Sequence, residues 1–322
     1  MEKTFFYKYH GLQNSFIVID RTHSNQNASQ RLNADPDQKS DIPTAQQCRF
    51  LCDPRVGIGA DGVLTLLPPS NDKATVYMHV TNADGTVARN CGNGLRCVAK
   101  WLLDQDRVKK DEFFIIETVS GLREVKITPK LENQSQESVS PSSWRANKCE
   151  RGHPENKSLN NRISVNMGQA KILKLNRFRL AESLNVPQDT WIDLVELGNL
   201  HLVINHPNPT AQKAQQIAAK LRASQALQQK EINVGLYDMS RPNAVDFCVH
   251  EYGAGETQAC GSGACALTAM LVVRNRVQTD YEITVNQPGG QLMIQQSAEK
   301  NIWMEGPAEF IFQGSITLPS AK

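Results

Sequence analysis

The sequence has no long apolar run and almost no net charge. Its longest apolar stretch, residues 265–273, is far shorter than the ~20 residues that a membrane-spanning helix needs. The first eleven residues lack the apolar core of a signal peptide. The net charge is +2, from 35 basic and 33 acidic residues, whereas neutralising phosphates requires a basic excess. We therefore expect a cytoplasmic protein that binds neither membranes nor nucleic acid.

Sequence motifs for zinc and for nucleotides are missing as well. Cys48 and Cys52 are spaced for one helix face, but no matching pair of Cys or His residues lies nearby, so we expect no zinc site. Residues 57–62 resemble a phosphate loop but run into a strand, without a following Gly-Lys-Ser/Thr, and predict a turn. The eight cysteines occur in a long chain without a secretion signal, which favours reduced thiols over a disulfide framework.

Short strand-like runs are what the sequence has in quantity. Residues 5–20 predict a hairpin that turns at residues 11–14. Further strands are predicted at residues 62–67, 74–80, 113–118, 194–204, 245–250 and 281–285, with helices that begin at Gly94 and Gly263 and another over 209–222. Strands outnumber helices without a regular βαβ alternation, so the predicted fold class is α+β.

The chain is long enough for two domains of modest size, since it has 322 residues. Two polar segments interrupt it, at about residues 22–45 and 131–162. We interpret both as surface insertions, the second one flexible and near the junction of the domains.

One short motif occurs in both halves of the chain. Cys-Gly-Asn-Gly at residues 91–94 and Cys-Gly-Ser-Gly at residues 260–263 each open an apolar helix, and each follows a glycine-containing turn. The repeat indicates duplicated halves related by a pseudo-twofold axis.

The motif places a thiol where a helix favours negative charge. Free backbone N–H groups at a helix N-terminus can lower a thiol pKa from ~8.5 toward neutrality, and the glycines let a carboxylate approach the same amides. Two facing motifs would hold a thiol on each side of an amino-acid α-carbon, one removing the α-proton and the other protonating the opposite face. A plain helix cap around a small buried cysteine is the competing interpretation of either motif alone.

With both motifs identified, the sequence resembles the diaminopimelate epimerase family. The matching segments are residues 11–20, 57–64, 82–99, 198–201, 233–234, 251–264 and 306–308. They span nearly the whole chain outside the two polar segments, and the two cysteine motifs together make the match specific.

The resemblance implies two pseudo-symmetric domains, each a curved and mostly antiparallel sheet around a central helix, with the active site in the cleft. On this chain the N-terminal domain would comprise residues 1–120 plus 306–322, and the C-terminal domain residues 121–305. The implied activity is interconversion of LL- and meso-2,6-diaminopimelate for lysine and peptidoglycan precursors. The resemblance also implies a homodimer that uses no cofactor, neither pyridoxal phosphate nor a metal.

The resemblance also assigns site residues by motif position. Cys91 and Cys260 would exchange the proton, and His201 and Glu251 would assist them as catalytic residues. The implied substrate-binding residues are Asn14, Asn82, Gly92, Asn93, Asn199, Asn233, Glu251, Gly261 and Ser262. Asn82, Asn199 and Asn233 would contact the distal, non-reacting end of the substrate.

Four positions depart from the family pattern. Tyr252 stands where an Arg follows the glutamate, and a phenol does not replace bidentate pairing with a distal carboxylate. Leu200 and Leu202 stand where Pro and Cys are common, and Phe312 takes about the place of an aromatic residue linked to dimerisation.

Three other functions therefore stay open. These are a racemase of another amino acid without a distal carboxylate, a cysteine hydrolase with His201 as its base, and a non-catalytic binding protein on the same fold. Exchange of α-protons in heavy water, measured over a panel of amino acids, separates diaminopimelate from another amino-acid substrate. Turnover of esters or amides would indicate the hydrolase, and absence of any activity the binding protein.

Overall fold

The structure is a computed structural model that describes residues 3–23, 41–89, 91–129, 161–224, 227, 231–241 and 243–320. The central parts of the two predicted polar insertions, and Cys149, lie outside the described residues. Within the described ranges no helix combines the length and the hydropathy needed to cross a membrane.

The described residues form seventeen strands and five helices. The strands are β1 (Lys3–Gly11), β2 (Asn14–Asp20), β3 (Gly62–Leu67), β4 (Val76–Asn82), β5 (Phe113–Thr118), β6 (Gly121–Pro129), β7 (Asn161–Asn166), β8 (Lys171–Leu173), β9 (Ile192–Leu197), β10 (Asn199–Asn205), β11 (Ile232–Arg241), β12 (Ala244–Glu251), β13 (Gly255–Glu256), β14 (Ile283–Gln287), β15 (Gly290–Gln296), β16 (Ile302–Gly306) and β17 (Glu309–Thr317). The helices are α1 (Ala45–Cys52), α2 (Gly92–Asp104), α3 (Arg177–Leu184), α4 (Ala211–Ser224) and α5 (Gly261–Val273).

Strand pairing repeats itself in the two halves of the chain. In the first half, β17, β1, β2, β3, β4, β5, β6 and β7 pair in that order, with parallel pairing only between β2 and β3 and between β4 and β5. In the second half, β8, β9, β10, β11, β12, β14, β15 and β16 pair in that order, with parallel pairing at the two equivalent steps. The same pattern in both halves gives the α+β fold its pseudo-twofold symmetry.

The two halves meet where β7 pairs with β16 in antiparallel register. The chain then returns to the first half, because β17 pairs with β1. The boundary predicted at residues 120 and 121 falls between β5 and β6, which pair over six residues. We now propose that the halves divide along the β7–β16 pairing instead.

Each half wraps its strands around one central helix. In α5 the residues from Gly261 to Leu271 are all buried, and a helix that is apolar on every side is stable only inside a core. In α2 ten of the thirteen residues are buried. The helices thus form the centre of each half, and their N-termini are fixed by packing on all sides.

The hairpin expected at residues 11–14 is present. Leu12 and Gln13 have φ values of 55° and 65°, as both central residues of a type I′ turn require, and Gly11 pairs with Asn14. The prediction of a single strand at residues 194–204 is wrong. Gly198, with φ of 74°, turns the chain so that β9 and β10 form an antiparallel hairpin.

The two cysteine helices begin two residues earlier than predicted, at Gly92 and Gly261. The glycines at 94 and 263 lie inside the first turn, since the cysteines themselves are the N-caps. Helices α1 and α3 were not predicted. Both are short, and α1 follows a capping box formed by Thr44 and Gln47.

Phe247 supports the first turn of α5 and provides a test of the packing. Its fully buried ring lies between two glycines, because a Cβ built on Gly235 would be 2.4 Å from the ring and one on Gly263 would be 3.1 Å away. We expect Phe247→Ala to lower the free energy of unfolding by about 3–5 kcal/mol in a denaturant titration. Phe178→Ala, which truncates a ring that is 72% exposed, should change it little; equal losses would contradict this packing.

Candidate active site

Cys91 and Cys260 occupy equivalent positions at the N-termini of α2 and α5. Both are N-cap residues with extended backbone. The Cys91 Sγ accepts a hydrogen bond from the Gly94 N–H at 3.3 Å, while the Cys260 Sγ lies 3.6 Å from the Ser262 Oγ. Each thiol therefore lies at the positive end of a buried helix, as the repeat predicts.

The side chain of Asn93 joins the two motifs. Its Nδ2 donates to the Ala259 carbonyl oxygen at 2.9 Å and to the Asn14 Oδ1 at 3.0 Å. Ala259 is the residue directly before Cys260, and a Cβ built on Gly261 would lie 3.4 Å from the Asn93 Oδ1. One amide thus brings the first turn of α2 against the first turn of α5.

A methionine packs beneath both helix N-termini. A Cβ built on Gly92 would lie 2.8 Å from the Met304 Cε, and one on Gly261 would lie 2.7 Å from the Met304 Sδ. The two glycines are therefore needed for close packing at the junction, besides leaving their amides open to a ligand.

Burial opposes ionisation of both thiols. It raises the pKa of Cys91 to about 12, against the Gly94 N–H and Arg96, which lower it. It also raises the pKa of Cys260, and the nearby Glu251 carboxylate raises it further. The expectation that the helix N-terminus brings these pKa values toward neutrality is wrong, because desolvation outweighs the helix amides.

Glu251 lies within electrostatic reach of both cysteines. Its charge acts on Cys91 as well as on Cys260, although the two cysteines belong to different halves. Its Oε1 accepts a hydrogen bond from the Thr257 Oγ1 at 2.6 Å. Burial raises the pKa of Glu251, against the bonds to Thr257 and Cys260, which lower it.

His201 and Asn233 lie on the strands beside Glu251. The two pair in parallel register on β10 and β11, and the pairing of β11 with β12 brings Glu251 alongside Asn233. Burial lowers the pKa of His201 to about 4, so its imidazole is neutral at physiological pH. The Asn233 Oδ1 accepts the backbone N–H of Tyr252 at 2.8 Å.

The remaining predicted site residues lie toward the surface. Asn82 is exposed, and its Nδ2 donates to the Thr86 Oγ1 at 3.0 Å. Asn199 is half-buried at the start of β10, and the hydrogen bonds of the described residues do not join its side chain to either cysteine motif. Tyr252 is 47% exposed. The roles of these residues stay predictions.

The structure adds polar residues that sequence reasoning missed. The Asp61 Oδ2 accepts from the Asn14 Nδ2 at 2.9 Å and from the Ser15 N–H at 2.6 Å, which fixes Asn14 beside Asn93. The Gln287 Oε1 accepts the Cys260 N–H at 2.7 Å. Asp61 lies within a matched glycine-rich segment and was open to prediction, whereas no sequence signal points to Gln287.

Three further cysteines, Cys97, Cys248 and Cys265, are buried in the core. The turn predicted at residues 57–62 lies earlier, at residues 54–56, and residues 57–61 lead into β3 outside any helix or strand. Leu200 and Leu202 pack into the apolar cluster of α3 and α4, on the side of the sheet that faces away from α5. Their side chains therefore do not face α5.

Comparison with known proteins gives the same family as the motifs. The family model described as diaminopimelate epimerase matches residues 6–140 and 194–311. The chain is 33% identical to the diaminopimelate epimerase of Trichodesmium erythraeum, over 97% of this chain and 98% of the relative. It is 31% identical to the O-ureido-serine racemase of Streptomyces lavendulae, over 97% of this chain and 94% of the relative.

Solved structures of low sequence identity share the fold. A probable proline racemase from Agrobacterium radiobacter K84 has a TM-score of 0.66 at 15% identity, covering 98% of this chain and 93% of that one. A predicted epimerase from Pseudomonas aeruginosa has a TM-score of 0.64 at 12% identity, covering 98% and 100%. At such identities the likeness concerns the fold alone.

The raised pKa of Glu251 has a consequence for stability. At a pH below 4.5, the ordinary pKa of a glutamate side chain, the carboxyl is protonated in the folded and in the unfolded chain. It then contributes nothing to the pH dependence of the free energy of unfolding. As the pH rises, the unfolded chain ionises first, so the folded state loses stability until the pH passes the folded pKa. We expect Glu251→Gln to unfold at higher denaturant concentration than the wild type at pH 8 and at the same concentration near pH 4.

The matched control is Glu256→Gln, which changes an exposed carboxylate on the neighbouring strand β13. It should follow the wild-type stability at both pH values. A Glu251→Gln protein that is less stable than the wild type at pH 8 would contradict the dominance of burial at this site.

Proposed function

Because this chain belongs to the diaminopimelate epimerase family, we propose that it interconverts LL- and meso-2,6-diaminopimelate by moving a proton between Cys91 and Cys260. The chain is an isomerase of that family. The observation that carries the proposal is the Asn93 bond to Ala259, which brings the two thiol-bearing helix N-termini together.

In the proposed reaction one thiolate removes the α-proton and the opposite thiol donates its own proton to the other face. Atoms and charge balance, since the thiolate and the thiol exchange states and the α-carbon returns to a C–H bond. Backbone N–H groups of the first turns of α2 and α5 bind the carboxylate, where they stabilise the charge that develops on the carbanion.

The high thiol pKa values suit this chemistry. An amino-acid α-proton is very weakly acidic, and a thiolate in a desolvated site is a stronger base than one in water. Glu251, in contact with Cys260, is placed to exchange protons with that thiol. His201, neutral and buried, would assist as a hydrogen-bonding group rather than as a charge.

Substrate access requires the two halves to separate. Cys260 is 3% exposed and Asn93 is 4% exposed, so an amino acid cannot reach the Cys260 sulfur in the described conformation. We propose that the cleft opens to admit substrate and closes to exclude water during proton transfer.

The distal end of the substrate is the open point. The chain matches several relatives named diaminopimelate epimerase at 29–33% identity over nearly its whole length. One relative of similar identity, however, is named O-ureido-serine racemase. Tyr252 is exposed and supplies no charge to a distal carboxylate. A racemase of an amino acid with an uncharged side-chain end is therefore the second candidate.

Deuterium incorporation at the α-carbon in heavy water decides between the two substrates. We expect kcat/KM for α-proton exchange to be at least about tenfold higher with diaminopimelate than with O-ureido-serine. A tenfold ratio corresponds to a preference of about 1.4 kcal/mol. Faster exchange of O-ureido-serine would contradict the first candidate and support the second. Tyr252→Arg should then lower KM for diaminopimelate, because a guanidinium pairs with a carboxylate through two hydrogen bonds.

We also propose that the protein acts in the cytoplasm as a homodimer. A reducing compartment keeps the two catalytic thiols free. The dimer is supported by β17, which pairs only with β1 among the described strands. Three consecutive apolar residues of this edge strand are 42–46% exposed: Phe310, Ile311 and Phe312. Exposed apolar edge strands favour pairing with another chain.

Light scattering during gel filtration tests the dimer. The wild type should elute with twice the mass of one chain, and Ile311→Glu should shift it to the monomer, because it places a charge on the apolar edge. Val273→Glu changes an apolar residue that is 62% exposed at the end of α5 and should leave the dimer intact. A monomeric wild type would end this part of the proposal.

A further inference from the structure

Arg96 is a fully buried, positively charged residue near the N-terminus of α2. None of its surface is exposed, and none of the ion pairs of the described residues includes it. Burying a cation without an anionic partner is unfavourable. Such a residue is therefore expected to have a purpose that an apolar residue of similar volume would not serve.

The hydrogen bonds of Arg96 reach into three segments of the chain. Its Nε donates to the Pro307 carbonyl oxygen at 3.1 Å and its Nη1 to the Met304 Sδ at 3.4 Å. Its Nη2 donates to the Asn93 Oδ1 at 3.0 Å. Met304 is on β16 of the second half, and Pro307 is in the segment that returns the chain to the first half. The guanidinium thus links α2 to the crossover between the halves.

The chain leaves space for this side chain. A Cβ built on Gly11 would lie 2.9 Å from the Arg96 Nη2, and one on Gly306 would lie 3.3 Å from its Nε. Glycines therefore flank the guanidinium on β1 and on β16, and the crossover to β17 begins directly after Gly306.

The bond to Asn93 determines which way that amide faces. A guanidinium can only donate, so the oxygen of Asn93 must point toward Arg96. The Nδ2 is then directed toward the Ala259 carbonyl and the Asn14 Oδ1. The contact that brings α2 against α5 consequently depends on Arg96, although Arg96 lies one helix turn behind it.

The charge of Arg96 also acts on the thiol. The titratable groups that face Cys91 are Arg96 on its own helix, Glu251 on β12 and Asp61 before β3. The two carboxylates oppose ionisation of the thiol, and Arg96 is the cation of this set. Removing it would leave the Cys91 thiolate among negative groups in a desolvated site.

From these contacts we infer that Arg96 is a positioning residue for the proton transfer: it orients Asn93 so that the two cysteine helices meet, and its buried charge favours the thiolate of Cys91. The inference rests on the proposed two-thiol chemistry and adds to it a residue that touches neither the substrate nor the reacting atoms.

Two variants separate orientation from charge. In Arg96→Met both are lost, so kcat for α-proton exchange should fall roughly 10- to 100-fold, with a smaller change in KM. Alkylation of Cys91 by iodoacetamide, followed by mass spectrometry from pH 6 to 10, should slow about tenfold for each unit by which the thiol pKa rises. Arg96→Lys keeps the positive charge but lacks the planar guanidinium that binds Asn93. It should therefore restore the alkylation profile but leave kcat reduced.

The matched control is Arg274→Met at the C-cap of α5. Arg274 pairs with Asp193 at 2.7 Å at the far end of the equivalent helix, so its loss should lower stability and leave the pH profile of Cys91 unchanged. Wild-type exchange and alkylation in Arg96→Met would overturn the inference, as would equal effects in Arg274→Met. If Arg96→Met does not fold, wild-type kcat in Arg96→Lys overturns it. If neither Arg96 variant folds, Arg96 only stabilises the fold and the inference fails.

The alkylation measurement needs no substrate. If the alkylation profile shifts in Arg96→Met but the wild type exchanges no amino acid, the proposed function is contradicted. The effect of Arg96 on the thiol would then still hold. An unshifted profile with active wild-type enzyme would contradict the inference alone.

Discussion

The structure depends on burying two helix N-termini against one another at the junction of the halves. Each N-terminus carries a thiol and free N–H groups, and burying such N–H groups without hydrogen-bond partners is unfavourable. Asn93 supplies the principal contact, to the carbonyl of Ala259 just before the N-cap of the other helix, and Met304 packs against both glycines. The position of each cysteine follows from this packing, since the cap residue cannot move without the helix behind it.

Symmetry of the backbone does not extend to the chemistry around the two thiols. In the first half, strand register places Phe16, Gly62 and Asn82 in one row across β2, β3 and β4. In the second half the equivalent strands carry His201, Asn233 and Glu251.

His201 and Glu251 therefore belong to the half that contains Cys260, which is 3% exposed. Cys91 keeps the helix amide of Gly94 as its hydrogen-bond donor. The duplicated fold thus places two thiols at equivalent helix N-termini among different polar neighbours.

Much of this could be predicted from the sequence, where local patterns carry the information. Strands β3 and β5 match their predicted bounds, and the repeated Cys-Gly-X-Gly motif identified both central helices and both thiols. The two-residue turn at Leu12 and Gln13 was also predicted. In each case the signal lies within about ten residues of the feature that it predicts.

What could not be predicted depends on contacts between distant segments. Helix α3 has little periodic signal, and the hairpin of β9 and β10 has only Gly198 as its turn. The thiol pKa values were expected to be lowered because the helix terminus is visible in the sequence, whereas the burial that raises them is not. Arg96 and Gln287 have no local pattern that distinguishes them from surface residues, since two of the three partners of Arg96 are more than 200 positions away and the partner of Gln287 is 27 positions away.

Transfer of the proton between two separate thiols is the central claim of this account. It is tested most directly by the position of the label during the first turnovers in heavy water, because a thiolate that takes the substrate proton differs from the thiol that supplies the solvent deuteron. The account predicts deuterium at the α-carbon of the product and none in the substrate that remains. Equal deuterium in the remaining substrate and in the product would mean that a single base serves both faces, and would contradict it.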